Sequence, residues 1–308
     1  LCVGNLRVGG TGKTPMIEYL IKNLSISYNL SVLSLGYKRK TKGFLHITQS
    51  STSEEVGDEP KQMRDKFPLV NFFVCKDRNY AINKILSIYP NTNLILLDDC
   101  YQYRKTIATK TILLTEFARP FYKDFVIPYG RLREKRRESK RSDYIIITKC
   151  PNTINNEQKD EVKRHINLQP YQQLFFSKII YKDVYLKDDI KQTIDLENKN
   201  IILVVGIDNP QPIIEYISKK NKILCVKQFN DHHLFTEQDI NEIEQSFNKN
   251  SQQNPIILTT EKDAIRLYNI KIPLYVLPIE NIIEDKNNDK EQFIKQIRDD
   301  IRRYFAFC

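Results

Sequence analysis

The amino-acid sequence predicts an α/β protein with two domains, the first a mostly parallel sheet with helices on both faces. Short apolar runs alternate with segments of helical spacing along the chain, a pattern typical of parallel sheets. The 308 residues are enough for two domains with separate cores. A glycine-rich turn joins the first strand to the first helix. We place the domains at residues 1–150 and 151–308, the second beginning with a polar linker and a helix.

The glycine-rich turn predicts a site for nucleotide phosphates. Backbone N–H groups of such a turn converge on one point, and the start of a helix adds partial positive charge there. Lys13 would reach the β- and γ-phosphates, and the Thr14 hydroxyl would bind Mg²⁺. Arg7 replaces the consensus glycine of a P-loop, but two adjacent glycines restore the backbone freedom. The predicted nucleotide-binding residues are Gly9, Gly10, Thr11, Gly12, Lys13 and Thr14.

The first domain continues with alternating elements, and a carboxylate stands at one of their edges. Asp58 follows a glycine and precedes a short helix, so it is either a helix N-cap or a functional acid at the edge of an element. A basic loop at residues 38–42 is either solvated surface or a phosphate-binding segment. The predicted helices are 16–24, 61–66 and 77–88, and the predicted strands are 30–35, 69–74, 93–97, 111–115 and 143–148.

Two acids end the apolar strand at residues 93–97. Asp98 and Asp99 fit a Walker B element, whose carboxylate lies at the carboxyl edge of the sheet and reaches Mg²⁺ directly or through water. An acidic turn alone is common, and the P-loop upstream is what favours this interpretation.

Residues 129–141 form the densest basic segment. Interleaved Glu134 and Glu138 favour a specific geometry or helical ion pairs over a nucleic-acid tail. After the next strand, Thr148-Lys149-Cys150-Pro151 superficially matches the guanine motif of GTPases, but Pro151 stands where that motif needs Asp.

The second domain repeats the alternation and contains a candidate histidine. His232 follows a strand, where a surface or capping role is the alternative to catalysis. His and Cys residues show no metal-ligand spacing, so we expect no structural zinc. The predicted strands are 174–181, 201–205, 222–229, 256–258 and 274–277, and the predicted helices are 212–218, 236–247 and 291–305.

Composition limits the possible classes of partner. The contents of 41% hydrophobic and 28% charged residues are those of a soluble globular protein. The net charge of +10 suggests an anionic partner, or a lysine-rich surface that aids solubility. Six scattered cysteines suggest reduced thiols. We find neither a secretory signal nor the roughly 18 apolar residues of a spanning helix.

Taken together, these motifs resemble the tetraacyldisaccharide 4′-kinase family of lipid A biosynthesis. Departures are Cys100 for a family glycine, Tyr103 for a histidine, which puts proton transfer there in doubt, and Lys135 for a proline. The resemblance covers essentially the whole chain. Its motifs are residues 3–15, 33–37, 56–60, 77–78, 97–104, 128–134, 206–210, 231–232 and 258–263.

The resemblance implies two α/β/α lobes, a P-loop NTPase-like N-terminal one and a smaller C-terminal one, with the active site in the cleft between them. It implies phosphorylation by ATP of the 4′-hydroxyl of a tetraacylated glucosamine disaccharide 1-phosphate. It further implies a peripheral location on the cytoplasmic side of the bacterial inner membrane, without a nucleic-acid partner or an evident obligate protein partner. The implied roles are catalysis for Asp58, His232 and Lys13, metal binding for Thr14, Asp98 and Asp99, and substrate binding for Arg133, Glu134, Glu59 and Gln102. The resemblance also implies that Asp58 is the candidate base and that it is paired with His232.

Two other classes remain possible at this point. A membrane-associated partitioning or regulatory ATPase also uses a deviant P-loop, but it would not need Asp58 and His232 beside an acceptor. A nucleic-acid-binding protein would depend on residues 131–141 alone.

Overall fold

The computed structural model describes residues 1–231, 233–284 and 289–306. They form two compact units: unit 1 is Leu1–Ile180 with Glu280–Cys308, and unit 2 is Tyr181–Ile279. The predicted α/β class with largely parallel sheets is confirmed. The predicted boundary at residue 150 is wrong, because the chain stays in unit 1 for about another strand and helix and returns to it at residue 280.

The strands within these residues form one sheet in each unit. In chain order they are β1 (Cys2–Asn5), β2 (Leu30–Ser34), β3 (Leu45–His46), β4 (Asn71–Val74), β5 (Leu94–Asp98), β6 (Thr111–Glu116), β7 (Tyr144–Thr148), β8 (Gln173–Tyr181), β9 (Val184–Leu186), β10 (Asp189–Ile194), β11 (Asn200–Val205), β12 (Lys222–Gln228), β13 (Pro255–Thr260), β14 (Leu274–Leu277) and β15 (Ile279–Ile283).

The helices alternate with the strands, as the spacing of apolar residues predicts. They are α1 (Lys13–Leu24), α2 (Ser53–Val56), α3 (Asp58–Lys66), α4 (Arg78–Ile88), α5 (Asn156–Ile166), α6 (Gln211–Ser218), α7 (Glu237–Lys249), α8 (Glu261–Ala264) and α9 (Asp289–Ala306). In the part of the chain described here, none of them is both long enough and apolar enough to cross a membrane.

The sheet of unit 1 has the order β15-β8-β7-β6-β1-β5-β2-β4-β3. Strand β1 lies between β5 and β6, parallel to both. The pairs β2/β4, β2/β5, β6/β7 and β7/β8 are also parallel, whereas the edge strand β3 is antiparallel to β4. Because the carboxyl ends of parallel strands meet at one edge, the turns after β1, β2, β5, β6 and β7 lie together. That edge carries the candidate site.

Two chain segments beyond residue 150 complete unit 1. Strand β8 pairs with β7, and β15 continues the sheet beyond β8. Helix α9 adds Phe293, Ile294, Ile297 and Ile301 to the same apolar cluster as the buried face of α1. An apolar pattern shows that a segment is buried but not which sheet it joins, which is why the predicted boundary fell too early.

Unit 2 has its own sheet, in the order β10-β9-β14-β13-β11-β12. Strand β11 is parallel to β12 and β13, and β13 is parallel to β14. Strand β9 is antiparallel to β14 and to β10. Apolar clusters containing Leu203 and Val204 pack against α6 and α7, so unit 2 has a core of its own.

Candidate active site

The glycine-rich turn presents the bare N-terminus of α1. Gly12 has φ 84° and caps the helix without a side-chain hydrogen bond, and the first turn contains no acid. Gly9 also has a positive φ of 110°. These conformations favour glycine, which explains the residue choice. A helix N-terminus with neither a capping side chain nor an acid leaves its N–H groups and its dipole available to an anion.

Side chains from neighbouring strands fix the turn in this shape. The Thr148 hydroxyl donates to the Thr11 carbonyl at 2.8 Å, and Lys149 Nζ donates to the Gly10 carbonyl at 2.5 Å. The Asn5 amide donates to Thr11 Oγ1 at 2.6 Å. In a planar trans peptide the C=O and the next N–H point in opposite directions. The bond to the Thr11 carbonyl therefore orients the Gly12 N–H away from β7.

Arg7, at the position of the missing consensus glycine, has a structural role. Its guanidinium lies 3.3 Å from Glu116 and 2.9 Å from Asp124. Glu116 also pairs with Lys149 at 2.5 Å and with Arg119 at 3.1 Å. This network, centred on the buried Glu116, joins the loop after β6 to the turn.

Asp98, the last residue of β5, is a buried acid with one oxygen that lacks a hydrogen-bond partner. Ser34 Oγ donates to Asp98 Oδ2 at 2.8 Å, while Oδ1 is buried without a hydrogen-bond partner. Arg78 holds the Asp98 carbonyl at 3.1 Å. Burial raises the pKa of the Asp98 carboxyl to about 6, and the negative charges of Glu59 and Asp99 add to the rise. A cation at the bare oxygen would reverse that penalty.

Asp99 has quite different surroundings. Its backbone is left-handed, with φ 48°, a conformation that costs about 1–3 kcal/mol for a residue other than glycine. Lys13 Nζ lies 3.8 Å from Asp99 Oδ1, and Arg133 Nη1 lies 3.1 and 3.2 Å from the two carboxylate oxygens. Gln102 accepts from Arg133 at 3.2 Å and donates to the Asn5 carbonyl at 2.8 Å. The structure thus brings Lys13, Asp99, Arg133 and Gln102 together.

Asp58 and Glu59 begin α3 at the same edge of the sheet. Gly57, not Asp58, is the N-cap, so the alternative of Asp58 as an N-cap is wrong. Gly57 has φ 94°, and a Cβ there would meet the Tyr37 carbonyl oxygen at 3.2 Å, which ties α3 to the turn after β2. Both acids are half-buried. The negative charge of Glu59 contributes to the raised pKa of Asp98, so the two carboxylates interact.

Glu134 belongs to an ion-pair network on the predicted basic segment. It lies 2.7 Å from Arg104 and 2.6 Å from Arg141. Glu138 pairs with the same two arginines, at 2.9 and 3.1 Å. The specific geometry predicted for this segment is therefore present, as a 3-10 helix (Arg136–Arg141) with bridging acids. The substrate role of Glu134 stays a prediction.

The oxygen ligands near the turn fit Mg²⁺. In the described ranges, no cluster of three or more His, Cys, Asp or Glu side chains could hold a metal by itself. A P-loop magnesium does not need one, because nucleotide phosphates supply further oxygens. Asp98 Oδ1 is a buried carboxylate oxygen without a partner, whereas both oxygens of Asp99 contact Arg133. The donor set therefore favours Asp98 over Asp99 beside the Thr14 hydroxyl.

Comparison with known proteins identifies the family. The family model described as tetraacyldisaccharide-1-P 4′-kinase matches residues 1–299. A tetraacyldisaccharide 4′-kinase of Bacteroides thetaiotaomicron is 40% identical, over 96% of this chain and 83% of that protein. The Flavobacterium johnsoniae protein of the same name is 39% identical, over 98% of this chain and 88% of that protein.

The chain belongs to the tetraacyldisaccharide 4′-kinase family.

A solved structure supports the same assignment. The crystal structure of LpxK from Aquifex aeolicus in complex with ATP superimposes with a TM-score of 0.73 and 26% identity, over 97% of this chain and 87% of that chain. The resemblance inferred from the motifs is therefore confirmed.

One predicted residue of this tetraacyldisaccharide 4′-kinase family member, His232, lies outside the described residues. Its neighbours are held within unit 2: Asp231 pairs with Lys262 at 2.9 Å, and His233 pairs with Asp239 at 2.8 Å. The predicted pairing of His232 with Asp58 stays a prediction.

Sequence reasoning missed several residues that support the site. Glu116, Thr148 and Lys149 hold the turn, and Ser34 and Arg78 hold Asp98. Ser34 and Arg78 lie within two of the matched motifs, residues 33–37 and 77–78, but the sequence assigned them no role. For the other three the only signal is position, since they lie in or after strands that end at one edge of the sheet. Thr148-Lys149 superficially matches a guanine motif, but in the structure both side chains donate hydrogen bonds to the glycine-rich turn.

Proposed function

We propose that this protein transfers the γ-phosphoryl group of ATP to the 4′-hydroxyl of a tetraacylated glucosamine disaccharide 1-phosphate. The observation that carries the proposal is the contact chain from Lys13 through Asp99 to Arg133, placed beside the bare N-terminus of α1. This contact chain places the predicted phosphate-binding turn next to the Arg133 guanidinium, which is suited to binding a second anion, such as a phosphate of the acceptor. The family membership supplies the class of reaction.

The nucleotide is bound by the turn and by α1. The N–H groups at the start of α1 face the β-phosphate, and Lys13 moves from Asp99 to the β- and γ-oxygens. Thr14 and Asp98, with support from Asp99, would hold Mg²⁺, which would neutralise negative charge on these phosphate oxygens. Phosphoryl transfer needs positioning and charge neutralisation more than covalent help from the protein.

The acceptor is activated by Asp58 in this proposal. The 4′-oxygen attacks the γ-phosphorus, the bond to the β,γ-bridging oxygen breaks, and ADP leaves with that electron pair. The hydroxyl proton goes to the Asp58 carboxylate, which His232 orients and stabilises. Arg133 offers a planar fork to a substrate phosphate, with Gln102, Glu59 and Glu134 as neighbouring polar contacts.

We also propose a peripheral location on the cytoplasmic face of the inner membrane. An acceptor with four acyl chains stays in a bilayer, so the enzyme has to work at its surface. The net charge of +10 is suited to an anionic leaflet, where each nearby Lys or Arg adds about 1 kcal/mol. We expect neither a nucleic acid nor an obligate protein partner.

The test is a phosphorylation assay with ATP, Mg²⁺ and the lipid disaccharide 1-phosphate in detergent, with the product mapped for a new 4′-phosphate. Asp58→Asn and His232→Ala should each abolish product formation while ATP binding persists. Asp65→Asn, a carboxylate change at the far end of the same helix, is the matched control. ATP hydrolysis that needs no lipid and ignores both substitutions would instead support a partitioning or regulatory ATPase.

A further inference from the structure

An exposed apolar loop follows β6 in unit 1. We call residues 125–131 the β6 loop. Three of its side chains face solvent: Phe125 is 62% exposed, Ile127 is 54% exposed and Tyr129 is 91% exposed. They alternate along the chain, so one short segment presents three large apolar groups. Single exposed apolar residues are ordinary on protein surfaces, but a cluster on one loop is a candidate contact surface.

The conformation of the β6 loop is fixed by hydrogen bonds and close contacts at its base. Asp124 Oδ1 accepts from the N–H groups of Phe125, at 2.8 Å, and Arg131, at 3.1 Å, which closes the loop at its base. A Cβ on Gly130 would lie 2.3 Å from the Phe125 carbonyl oxygen, so the two ends touch. Leu132, just beyond the loop, is fully buried. The apolar side chains are therefore presented in a fixed arrangement.

Basic side chains lie on and next to the β6 loop. The Arg136 guanidinium lies 4.7 Å from the Phe125 ring centroid. The side chains of Arg131 and Lys135 are exposed, and neither forms an ion pair with any residue that the structure describes. Exposed aromatic and aliphatic groups with cations next to them match the headgroup region of an anionic bilayer, where aromatic rings reside and cations contact lipid phosphates.

The β6 loop stands directly beside the phosphate-binding turn. The Val8 N–H donates to the Arg131 carbonyl at 2.8 Å, and the Arg133 N–H donates to the Leu6 carbonyl at 2.7 Å. Only Leu132 separates Arg131 from Arg133, which contacts Asp99. A surface seated on this loop would therefore lie next to the position where the acceptor hydroxyl must arrive.

We propose that the β6 loop is a membrane-contact element that places Phe125, Ile127 and Tyr129 in the headgroup region of an anionic lipid bilayer. This inference rests on the proposed function, which requires a lipid acceptor, and it names the surface that meets the lipid. A protein partner fits less well. A stable interface buries roughly 800 Å² of surface on each partner, and three side chains on one loop offer far less surface area than that.

The first experiment measures binding of the full chain to vesicles by co-sedimentation. Vesicles of phosphatidylcholine, with and without phosphatidylglycerol, are used without nucleotide or acceptor. The variant combines Phe125→Ser, Ile127→Ser and Tyr129→Ser. The matched control combines Ile26→Ser and Leu69→Ser, two residues 84% and 98% exposed that precede β2 and β4 at the opposite edge of the sheet.

We expect the triple variant to bind phosphatidylglycerol vesicles at least tenfold more weakly than the unmodified chain, with the control unchanged. Combining Arg131→Gln with Lys135→Gln should weaken binding to anionic vesicles and reduce its salt dependence. Equal binding by the triple variant and the unmodified chain would overturn the inference, as would weakening by the control to the same extent. Unchanged ATP binding shows that each variant has folded.

A second experiment needs only one substitution. The chain contains no tryptophan, so Tyr129→Trp introduces a single reporter. Its fluorescence should shift to the blue on anionic vesicles and be quenched by lipids brominated near the headgroup, whereas Leu69→Trp should show neither effect. If the Tyr129→Trp variant co-sediments with the vesicles but its emission does not change, the membrane contact lies elsewhere on the protein.

The phosphorylation assay separates the two proposals. If the unmodified chain binds anionic vesicles through the β6 loop but never phosphorylates the lipid in detergent, the membrane-contact element stands and the proposed reaction fails. If phosphorylation in detergent proceeds while the triple variant binds vesicles normally, the reaction stands and the β6 loop has no membrane role. When both hold, the triple variant should lose activity on bilayer substrate and keep it in detergent.

Discussion

Adjacent acids at the end of β5 have been given different tasks by their surroundings. Asp98 is buried, accepts one bond from Ser34 and keeps one oxygen without a partner. Asp99 turns through a left-handed backbone toward Lys13 and Arg133. One carboxylate therefore keeps a buried oxygen without a hydrogen-bond partner, while the other contacts two cationic side chains.

The raised pKa of Asp98, about 6, predicts how stability changes with pH. The folded state binds this proton more tightly than the unfolded state, so its ionisation destabilises the nucleotide-free protein as pH rises from about 4 to above 6. Asp98→Asn mimics the protonated form. We expect the stability of the variant relative to the unmodified chain to be higher near pH 7.5 than near pH 4.5, by about 1–3 kcal/mol.

Urea titration of the nucleotide-free protein at the two pH values measures this difference. Asp65→Asn, on the exposed end of α3, serves as the control and should show no such pH-dependent gain. A constant difference between Asp98→Asn and the unmodified chain at both pH values would contradict the prediction. In the same variant, Mg²⁺-dependent tightening of ATP binding should be lost.

Among the proposed acceptor-binding residues, Arg133 is the one whose substitution should affect use of the lipid most. Arg133 contacts both Asp99 and Gln102 through Nη1, and a lysine, which has one ammonium in place of the planar guanidinium, would not reproduce this geometry. We expect Arg133→Lys to lower kcat/KM for the lipid by about 10- to 100-fold while ATP affinity changes little. Steady-state kinetics and nucleotide titration measure this. Arg137→Lys, on an arginine 73% exposed in its side chain, is the matched control and should leave both quantities unchanged.

At the residue scale, sequence could predict groups whose chemistry is tied to a local motif. The predicted roles of Lys13 and Asp98 follow from adjacent residues, because Lys13 comes directly after Gly12 and Asp98 ends an apolar strand. Arg7 and Lys149 do not, because both act through Glu116, which is more than 30 residues away from either along the chain. Contacts of that kind depend on strand order, which no local pattern contains.

At the scale of elements, the basic segment shows how composition misleads and spacing helps. Seven cations in residues 131–141 resemble a nucleic-acid tail, yet Glu134 and Glu138 each bridge Arg104 and Arg141. The interleaved acids indicated this order in advance. Strands such as β3, β9 and β10 were missed because they are short or largely polar, so they lack the apolar run that identifies a strand.

Helix α9 is expected to be essential for the stability of unit 1. Phe293 is fully buried, with ring centroids 4.9 Å from Phe175 and 5.7 Å from Tyr144. Phe293→Ala should therefore lower the free energy of unfolding by about 3–5 kcal/mol. Chemical denaturation measures the loss. Lys295→Ala, an exposed position on the same helix, should change stability by less than about 0.5 kcal/mol.

At the scale of the molecule, the chain forms two units, each with its own core, as its length suggested. Unit 2 is an insertion between β8 and β15 of unit 1. Sequence predicted two domains but placed them one after the other. A discontinuous domain cannot be recognised from local patterns, because the returning segment looks like any other strand and helix.

Nucleotide binding should distinguish the two units. A ligand that binds only the folded state stabilises it by about 2.7 kcal/mol at 100 times its Kd. We expect ADP to slow hydrogen exchange of the amides in β2 and β5 of unit 1 and to leave those in β11 and β13 of unit 2 unchanged. Mass spectrometry of the exchanged peptides measures both. Equal slowing in the two sheets would show that the units open as one.

The return of β15 and α9 to the first sheet affects how the protein is made. On the ribosome, residues 1–180 emerge with the P-loop already present, but the apolar face that α9 will cover is still open. That face must wait while the whole of unit 2 is synthesised. Until α9 has been synthesised, the first 180 residues expose apolar surface of the kind that promotes aggregation, and a truncation before residue 293 would leave that surface uncovered.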